Sequence, residues 1–250
     1  IDLIKFIKDT DTADLLKQID NIIDEYGLSN TSLYGYSYYD CDSSRGLAEY
    51  NKERFFKLRD EFNAKVLAGE TDYSILYVLM VYSFNNQIRF NRKGLFNLPV
   101  GKRDFNSKMR SKLVLFSEEL KSKDIKFMKK DFREISLDDF SQETFIYCDP
   151  PYLITNATYN ENGMWTEIEE KALLEFLDEA NAKGFSFALS NVLESKNKRN
   201  DILYNWIESK GYYCNSLNKS YSNSNYHRKN KNSTSEEVLI TNYPGNRRNQ

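Results

Sequence analysis

The 250 residues carry 35 Lys+Arg against 37 Asp+Glu, a formal charge of -2, with 40% hydrophobic and 14% aromatic side chains. That content excludes a mostly disordered chain, and the length suits one large domain or two modest ones with an unstapled core. No apolar run approaches the ~18 residues of a membrane span, and no secretory leader pattern is present, so the chain carries no sign of export.

Residues 1–8 read as a short helix. Leu15, Leu16, Ile19, Ile22, Ile23 and Tyr26 recur at helical spacing over 12–26, with Thr12 as N-cap and Gly27 as the stop. Asn30 to Ser44 is rich in Ser, Tyr and Gly and reads as a loop. Leu47 to Ala68 is helical again, and the almost wholly apolar Tyr73 to Phe84 is a buried helix or a buried strand. Gln87 to Gly101 then reads as a hairpin turning at Arg92-Lys93-Gly94, and Ser107 to Leu120 as a helix.

From Ile125 the pattern alternates. Strands are expected at Ile125–Met128, Thr144–Cys148, Phe185–Ser190, Tyr212–Leu217 and Val238–Thr241, and helices at Glu167–Ala182 and Asp201–Ser209. Gly184 and Gly211 stand at helix-to-strand junctions, where a C-terminal glycine is expected. The class is therefore α/β, with crossover helices, following a mostly helical insertion that carries one basic hairpin. Asn218 to Ser235 is an Asn/Ser/Lys-rich loop.

The near-neutral total hides an asymmetry. Residues 86–130 hold 13 Lys+Arg and 4 Asp+Glu, so the remainder sums to -11. Such a block is either a solvated helical surface or a patch that tracks phosphates. Three scattered cysteines (Cys41, Cys148, Cys214) and the single His227 argue against a zinc site and against histidine-dependent nucleophiles. The odd cysteine count fits a reducing, cytoplasmic setting.

One tetrapeptide stands out: Asp149-Pro150-Pro151-Tyr152, directly after the apolar run Phe145-Ile146-Tyr147-Cys148. Two prolines cannot continue a central strand, because each lacks an N–H. Ligands of open α/β sheets bind at the carboxyl ends of strands. A carboxylate, a fixed carbonyl and an aromatic plane suit an exocyclic amine on a planar base. Asp149 and the Pro150 carbonyl accept its two hydrogens, and Tyr152 stacks on the ring. The bland alternative is a proline turn after a strand.

Here the chain resembles the Dam-like DNA adenine methyltransferases, whose members transfer a methyl group from S-adenosylmethionine to adenine in duplex DNA. The first match is the D-P-P-Y segment. The second is Ser83 to Asn91 followed by Gly94, Phe96-Asn97, Pro99 and Gly101, which is similar to the family's DNA-reading hairpin and falls in the basic block. A third is Asp131-Phe132, and a fourth is the order Leu189-Ser190-Asn191, Tyr221, Glu236 and Ile240 to Tyr243. The resemblance implies a Rossmann-like, S-adenosylmethionine-dependent methyltransferase sheet at 1–26 and 122–250. A mostly helical target-recognition insertion with a β-hairpin would occupy 27–121.

Residue by residue, the resemblance implies that Asp149, Pro150, Pro151 and Tyr152 hold a flipped adenine, since its amine is unreachable inside the stack. It implies that Asp131, Phe132 and Asp149 hold the cofactor. Phe84 and Asn85 would probe the gap left by flipping, with Phe84 as a core residue the alternative. Arg89 would read guanine, whose two acceptors match a guanidinium, with a plain surface arginine the alternative. Gln87, Asn91 and Pro99 would also face DNA, and Lys102, Arg103 and Arg110 would contact phosphates, which position without specifying. Tyr221, His227, Arg228, Lys229 and Lys231 lie in a loop that either closes over DNA or is disordered.

Family members open with a basic segment and a glycine loop of F-x-G-x-G type. This sequence holds no G-x-G, and its first residues resemble the helix after a second strand. The expectation is therefore a member lacking its first strands, on the order of 50 residues. A DNA-binding fragment or inactive homologue without cofactor binding is a competing reading. An RNA or protein amino-methyltransferase is a third, weakened by the hairpin and by aspartate at position 149. No metal is expected. A cognate restriction endonuclease in the same system would be a functional rather than a physical partner.

Overall fold

The computed structural model describes residues 1–154, 165–196, 198–217 and 235–245. Tyr221, His227, Arg228, Lys229 and Lys231 lie outside the described residues. Among the described residues no helix is long and apolar enough to cross a membrane. The chain divides into two compact units, Ile1–Lys129 and Lys130–Gln250.

The first unit is helical: α1 (Asp2–Asp9), α2 (Thr12–Glu25), α3 (Thr31–Tyr34), α4 (Ala48–Leu67), α5 (Tyr73–Tyr82) and α6 (Ser107–Ser122). The α2 cap is Asp11, which accepts from the Ala13 and Asp14 amides at 2.8 and 3.2 Å. Thr12, the expected cap, lies one residue inside the helix. Its hydroxyl is 3.0 Å from Ser117 Oγ and accepts from Lys121 Nζ at 2.8 Å. An aspartate ahead of the first turn offers its oxygen to the orphan amides with the better geometry.

The 73–82 segment is a helix, not a strand, capped by Asp72. It is apolar all round because it is enclosed all round. Leu15, Ile19, Phe55, Leu58, Phe62, Val78 and Tyr82 of its core are fully buried, each worth about 1.5–3 kcal/mol of transfer free energy. Helices α1 and α2, grouped with the sheet by the sequence reading, pack in this unit against α5 and α6.

Buried Asp104 ties two loops together. Its carboxyl oxygens accept from the Thr31 amide at 2.7 Å and the Thr31 hydroxyl at 2.9 Å, and burial raises its pKa above the ordinary aspartate value.

The second unit is α/β. Strands β1 (Phe145–Cys148), β2 (Ser186–Ser195), β3 (Lys198–Arg199), β4 (Tyr213–Ser216) and β5 (Ser235–Thr241) form one sheet, with order β1-β2-β5-β4 and β3 on β2. β1 and β2 are parallel, joined through α7 (Glu167–Ala182); β2–β5, β4–β5 and β2–β3 are antiparallel. Helix α8 (Asp201–Lys210) precedes β4. Leu173, Leu177, Phe187, Leu189, Leu203, Val238 and Ile240 form the layer between the helices and the sheet. A parallel pair needs a crossover of this kind, whereas antiparallel neighbours do not.

The strand expected at Ile125–Met128 is not formed. Ile125 and Phe127 alternate as a strand would, but they pack onto the helical core of the first unit. The carbonyls of Lys123 and Ile125 accept from Lys8 Nζ at 3.5 and 3.1 Å instead of from a ladder. Alternation records which side chains are covered, not whether a neighbouring strand is there.

Candidate active site

In the second unit, the register Cys148↔Leu189 sets Asp149 at the carboxyl end of β1, next to Ser190 on β2. β5 runs back past this point, with Glu237 opposite Val192. Ile146 and Cys148 turn into the core, while Phe145 and Tyr147 are 53% and 60% exposed.

Asp149 and Tyr152 are brought together. The Tyr152 hydroxyl donates toward Asp149 Oδ1 and Glu237 Oε1, each at 3.2 Å, and lies 3.2 Å from Ser190 Oγ. One phenol proton serves one carboxylate at a time, and the Ser190 hydroxyl is able to donate in return. Burial, aided by the Asp149 and Glu237 carboxylates, pushes the Tyr152 phenol up to about 12. It therefore stays a hydrogen-bond donor at neutral pH, and its ring is fixed from three directions.

Glu237 was missed by sequence reading, which singled out Glu236. Strand parity carries the signal: Val238 and Ile240 are wholly buried in the helix-facing core, so Glu236 shares their side and Glu237 the opposite one. Glu170 was missed as well. This fully buried side chain accepts from Trp165 Nε1 at 2.8 Å, Asn191 Nδ2 at 3.1 Å and Asn200 Nδ2 at 2.9 Å. It thereby joins α7 to β2, one residue past Ser190, and to the cap of α8.

Asp131 caps a single turn, Phe132–Glu134, accepting from the Arg133 amide at 3.0 Å. The Phe132 ring packs at 6.2 Å from Trp165 and 6.0 Å from Phe176. An exposed carboxylate beside a half-buried aromatic fits an aminopurine, with the amine donating to oxygen and the ring packing on ring. The described glycines of this unit, Gly184, Gly211 and Gly245, follow α7, α8 and β5. None lies between a strand and the helix after it, where a methionine cradle would lie.

The hairpin of the first unit is narrow. Its bridges are Ser83↔Val100 and Phe90↔Phe96. The turn is held by Gly94 N–H to Asn91 O at 2.9 Å, and Asn91 Oδ1 takes the Lys93 and Leu95 amides at 2.8 and 3.1 Å. Arg89 Nε and Nη2 donate to Asn97 Oδ1 at 2.8 Å and Asn97 O at 3.0 Å. Phe84 is 42% exposed, which removes the core reading for it. Asn85 and Asn86 adopt φ of 56° and 52°, a conformation asparagine tolerates better than most residues.

Gln87 is exposed, and its carbonyl accepts from Ser83 Oγ at 2.8 Å. The Pro99 carbonyl accepts from the Phe84 amide at 2.9 Å. Lys102 is exposed, its carbonyl taken by the Leu47 amide at 3.1 Å. Arg103 reaches back to Tyr36 Oη and Ser43 O, both at 3.4 Å.

Gly101 closes the base of this hairpin. A Cβ there would meet Ser83 O at 2.2 Å and Ser83 C at 2.7 Å, both backbone atoms that cannot swing away. Gly101→Ala is expected to destabilise the protein by about 3 kcal/mol, the upper range for overpacking. Urea unfolding measures it, and a loss below about 1 kcal/mol would contradict the close approach.

The family model of D12 class N6 adenine-specific DNA methyltransferases matches residues 37–234. The chain is 36% identical to the Type II methyltransferase M.FokI of Planomicrobium okeanokoites, over 97% of this chain and 34% of that protein. It is 35% identical to Modification methylase StsI of Streptococcus sanguinis, over 97% of this chain and 34% of that protein. It is 31% identical to the DNA adenine methylase of Serratia marcescens, over 44% of this chain and 39% of that protein. The chain thus spans about a third of the length of the first two of these relatives. With the family model running from the Tyr-rich loop through the hairpin and the Asp149–Tyr152 segment, the chain belongs to the D12 class N6 adenine-specific DNA methyltransferases.

Proposed function

We propose that this chain methylates the exocyclic amine of a flipped adenine in duplex DNA, using S-adenosylmethionine. The observation that carries the reading is Asp149-Pro150-Pro151-Tyr152 at the end of β1, with the Tyr152 hydroxyl within 3.2 Å of Asp149, Ser190 and Glu237. In this reading Asp149 and the Pro150 carbonyl accept the two amine hydrogens. That draws the nitrogen lone pair out of the ring and toward the methyl donor. The Tyr152 ring, immobilised through its hydroxyl, stacks on the base and sets its plane.

Asp131 and Phe132 would hold the adenine end of S-adenosylmethionine, which supplies a methyl group already activated on a sulfonium. The methionine end finds no glycine loop in this sequence. A second reading therefore keeps DNA reading and drops cofactor binding.

In the favoured reading the Rossmann-like sheet is the catalytic part. The helical unit with the Arg89 hairpin, and with Lys102 and Arg103 on phosphates, is the target-recognition part. The words "Type II" and "modification methylase" in the relatives' names support a place in a restriction-modification system.

Incubating the protein with duplex DNA and S-adenosylmethionine, followed by nucleoside mass spectrometry, is expected to yield N6-methyladenine. A methylated cytosine would overturn the base assignment. No methylation, together with no calorimetric binding of S-adenosylmethionine but retained DNA affinity, would favour the second reading.

A further inference from the structure

We infer that Asn97 is a specificity-positioning residue, which fixes the Arg89 guanidinium so that one of its edges faces a guanine in DNA. The inference rests on the reading of Arg89 as the guanine-reading side chain.

A guanidinium carries five N–H donors in one plane. Two of them, on Nε and Nη2, are consumed by Asn97 Oδ1 at 2.8 Å and Asn97 O at 3.0 Å. Three remain, both on Nη1 and the second on Nη2. Of the two guanidinium edges whose spacing matches guanine O6 and N7, the one formed by Nη1 and Nη2 is the one still open. The two contacts to Asn97 therefore do not compete with base reading; they leave the reading edge free and lock the plane in which it lies.

Asn97 is well placed for this. Its own amide donates to Arg89 O at 3.1 Å, so the pair is joined by three hydrogen bonds across the hairpin. Its chain neighbours Phe96 and Leu98 are 1% and 2% exposed, which leaves Asn97 on the outer side. Phe96 is clamped on both backbone atoms by Asn63 of α4, its amide donating to Oδ1 at 2.8 Å and its carbonyl accepting from Nδ2 at 3.1 Å. Arg89 is thus referred through Asn97 and Phe96 to the helical core. A long, freely rotating arginine loses rotamer freedom on binding any base, whereas one held in advance discriminates by geometry.

The test is selection of bound sequences from a pool of short DNA duplexes carrying ten randomised base pairs, using the full chain. The wild type is expected to enrich guanine at one position, and Arg89→Ala to lose that preference altogether. Asn97→Ala is expected to reduce guanine enrichment about tenfold, within the range carried by one bidentate base contact, while affinity for the unselected pool changes less than about twofold, since phosphate contacts are untouched. Asn97→Asp keeps an acceptor at Oδ1 and is expected to restore the preference, a rescue that a purely structural role for the amide would not give. Undiminished guanine enrichment by Asn97→Ala, with Arg89→Ala blind to guanine, would overturn the inference and leave the Arg89 reading intact. Guanine preference retained by Arg89→Ala, or no enrichment by the wild type, would overturn the Arg89 reading and this inference with it.

Discussion

Asp149→Ala is expected to lower the single-turnover rate of methyl transfer to adenine by ~10³-fold, with the affinity for duplex DNA unchanged. The size follows from what the side chain would do. A preorganised group acting where charge develops is worth about 10²–10³ in rate, and proton handling at the reacting atom adds to it. Asp149→Asn keeps an acceptor oxygen but puts a donor beside it, and a loss of roughly 10–100-fold is expected. Asp149 is exposed, so neither change should move stability beyond about 0.5 kcal/mol. Tyr152 retains Ser190 and Glu237 as partners, each at 3.2 Å, so the aromatic plane survives the substitution. A rate within tenfold of wild type for Asp149→Ala would remove Asp149 from the chemistry. A parallel loss of DNA affinity would instead assign it to binding.

What the sequence made legible here was local. Asp149-Pro150-Pro151-Tyr152 is conspicuous because two adjacent prolines are chemically costly after a strand, and the hairpin because Asn91 to Gly94 is a turn by residue type. The long helices α4, α6 and α7 were legible to within two residues at each end, since their apolar spacing reflects a face that is in fact covered, whereas α5, apolar all round, was legible only as a buried segment of open type.

What was illegible is set by tertiary juxtaposition. The apolar alternation at Ile125 and Phe127 is real, but a helical core satisfies it in place of a sheet. Glu236 and Glu237 are equal as letters, and only the side of β5 that each occupies separates them. Arg89 was visible as a basic residue in a matching pattern. That Asn97 grips it is a fact about two chain segments crossing. Glu170 looked like one more acidic residue in an acidic first turn of α7, because nothing in its neighbourhood in sequence announces Asn191 or Asn200.

Glu170→Ala is expected to cost roughly 4 kcal/mol of stability, measured by urea unfolding. The residue is wholly inaccessible, and three donors from three separate chain segments converge on it. Removing the acceptor leaves the Asn191 and Asn200 amides buried without a partner and the indole N–H of half-buried Trp165 without its acceptor. Each such orphan costs about 1–3 kcal/mol, partly offset because the buried carboxyl no longer has to be desolvated. Glu170→Gln separates the two sides of the site. Its carbonyl oxygen still serves both asparagines, but its amide then faces the indole N–H donor to donor, so a loss of about 2 kcal/mol is expected. Because Asn191 follows Ser190 directly and Ser190 lies 3.2 Å from the Tyr152 hydroxyl, a folded Glu170→Gln protein should also methylate more slowly at unchanged DNA affinity. A stability loss below about 1 kcal/mol for Glu170→Ala would mean that these donors find other partners. In that case the buried carboxyl would not be what holds the middle of β2 against the tyrosine.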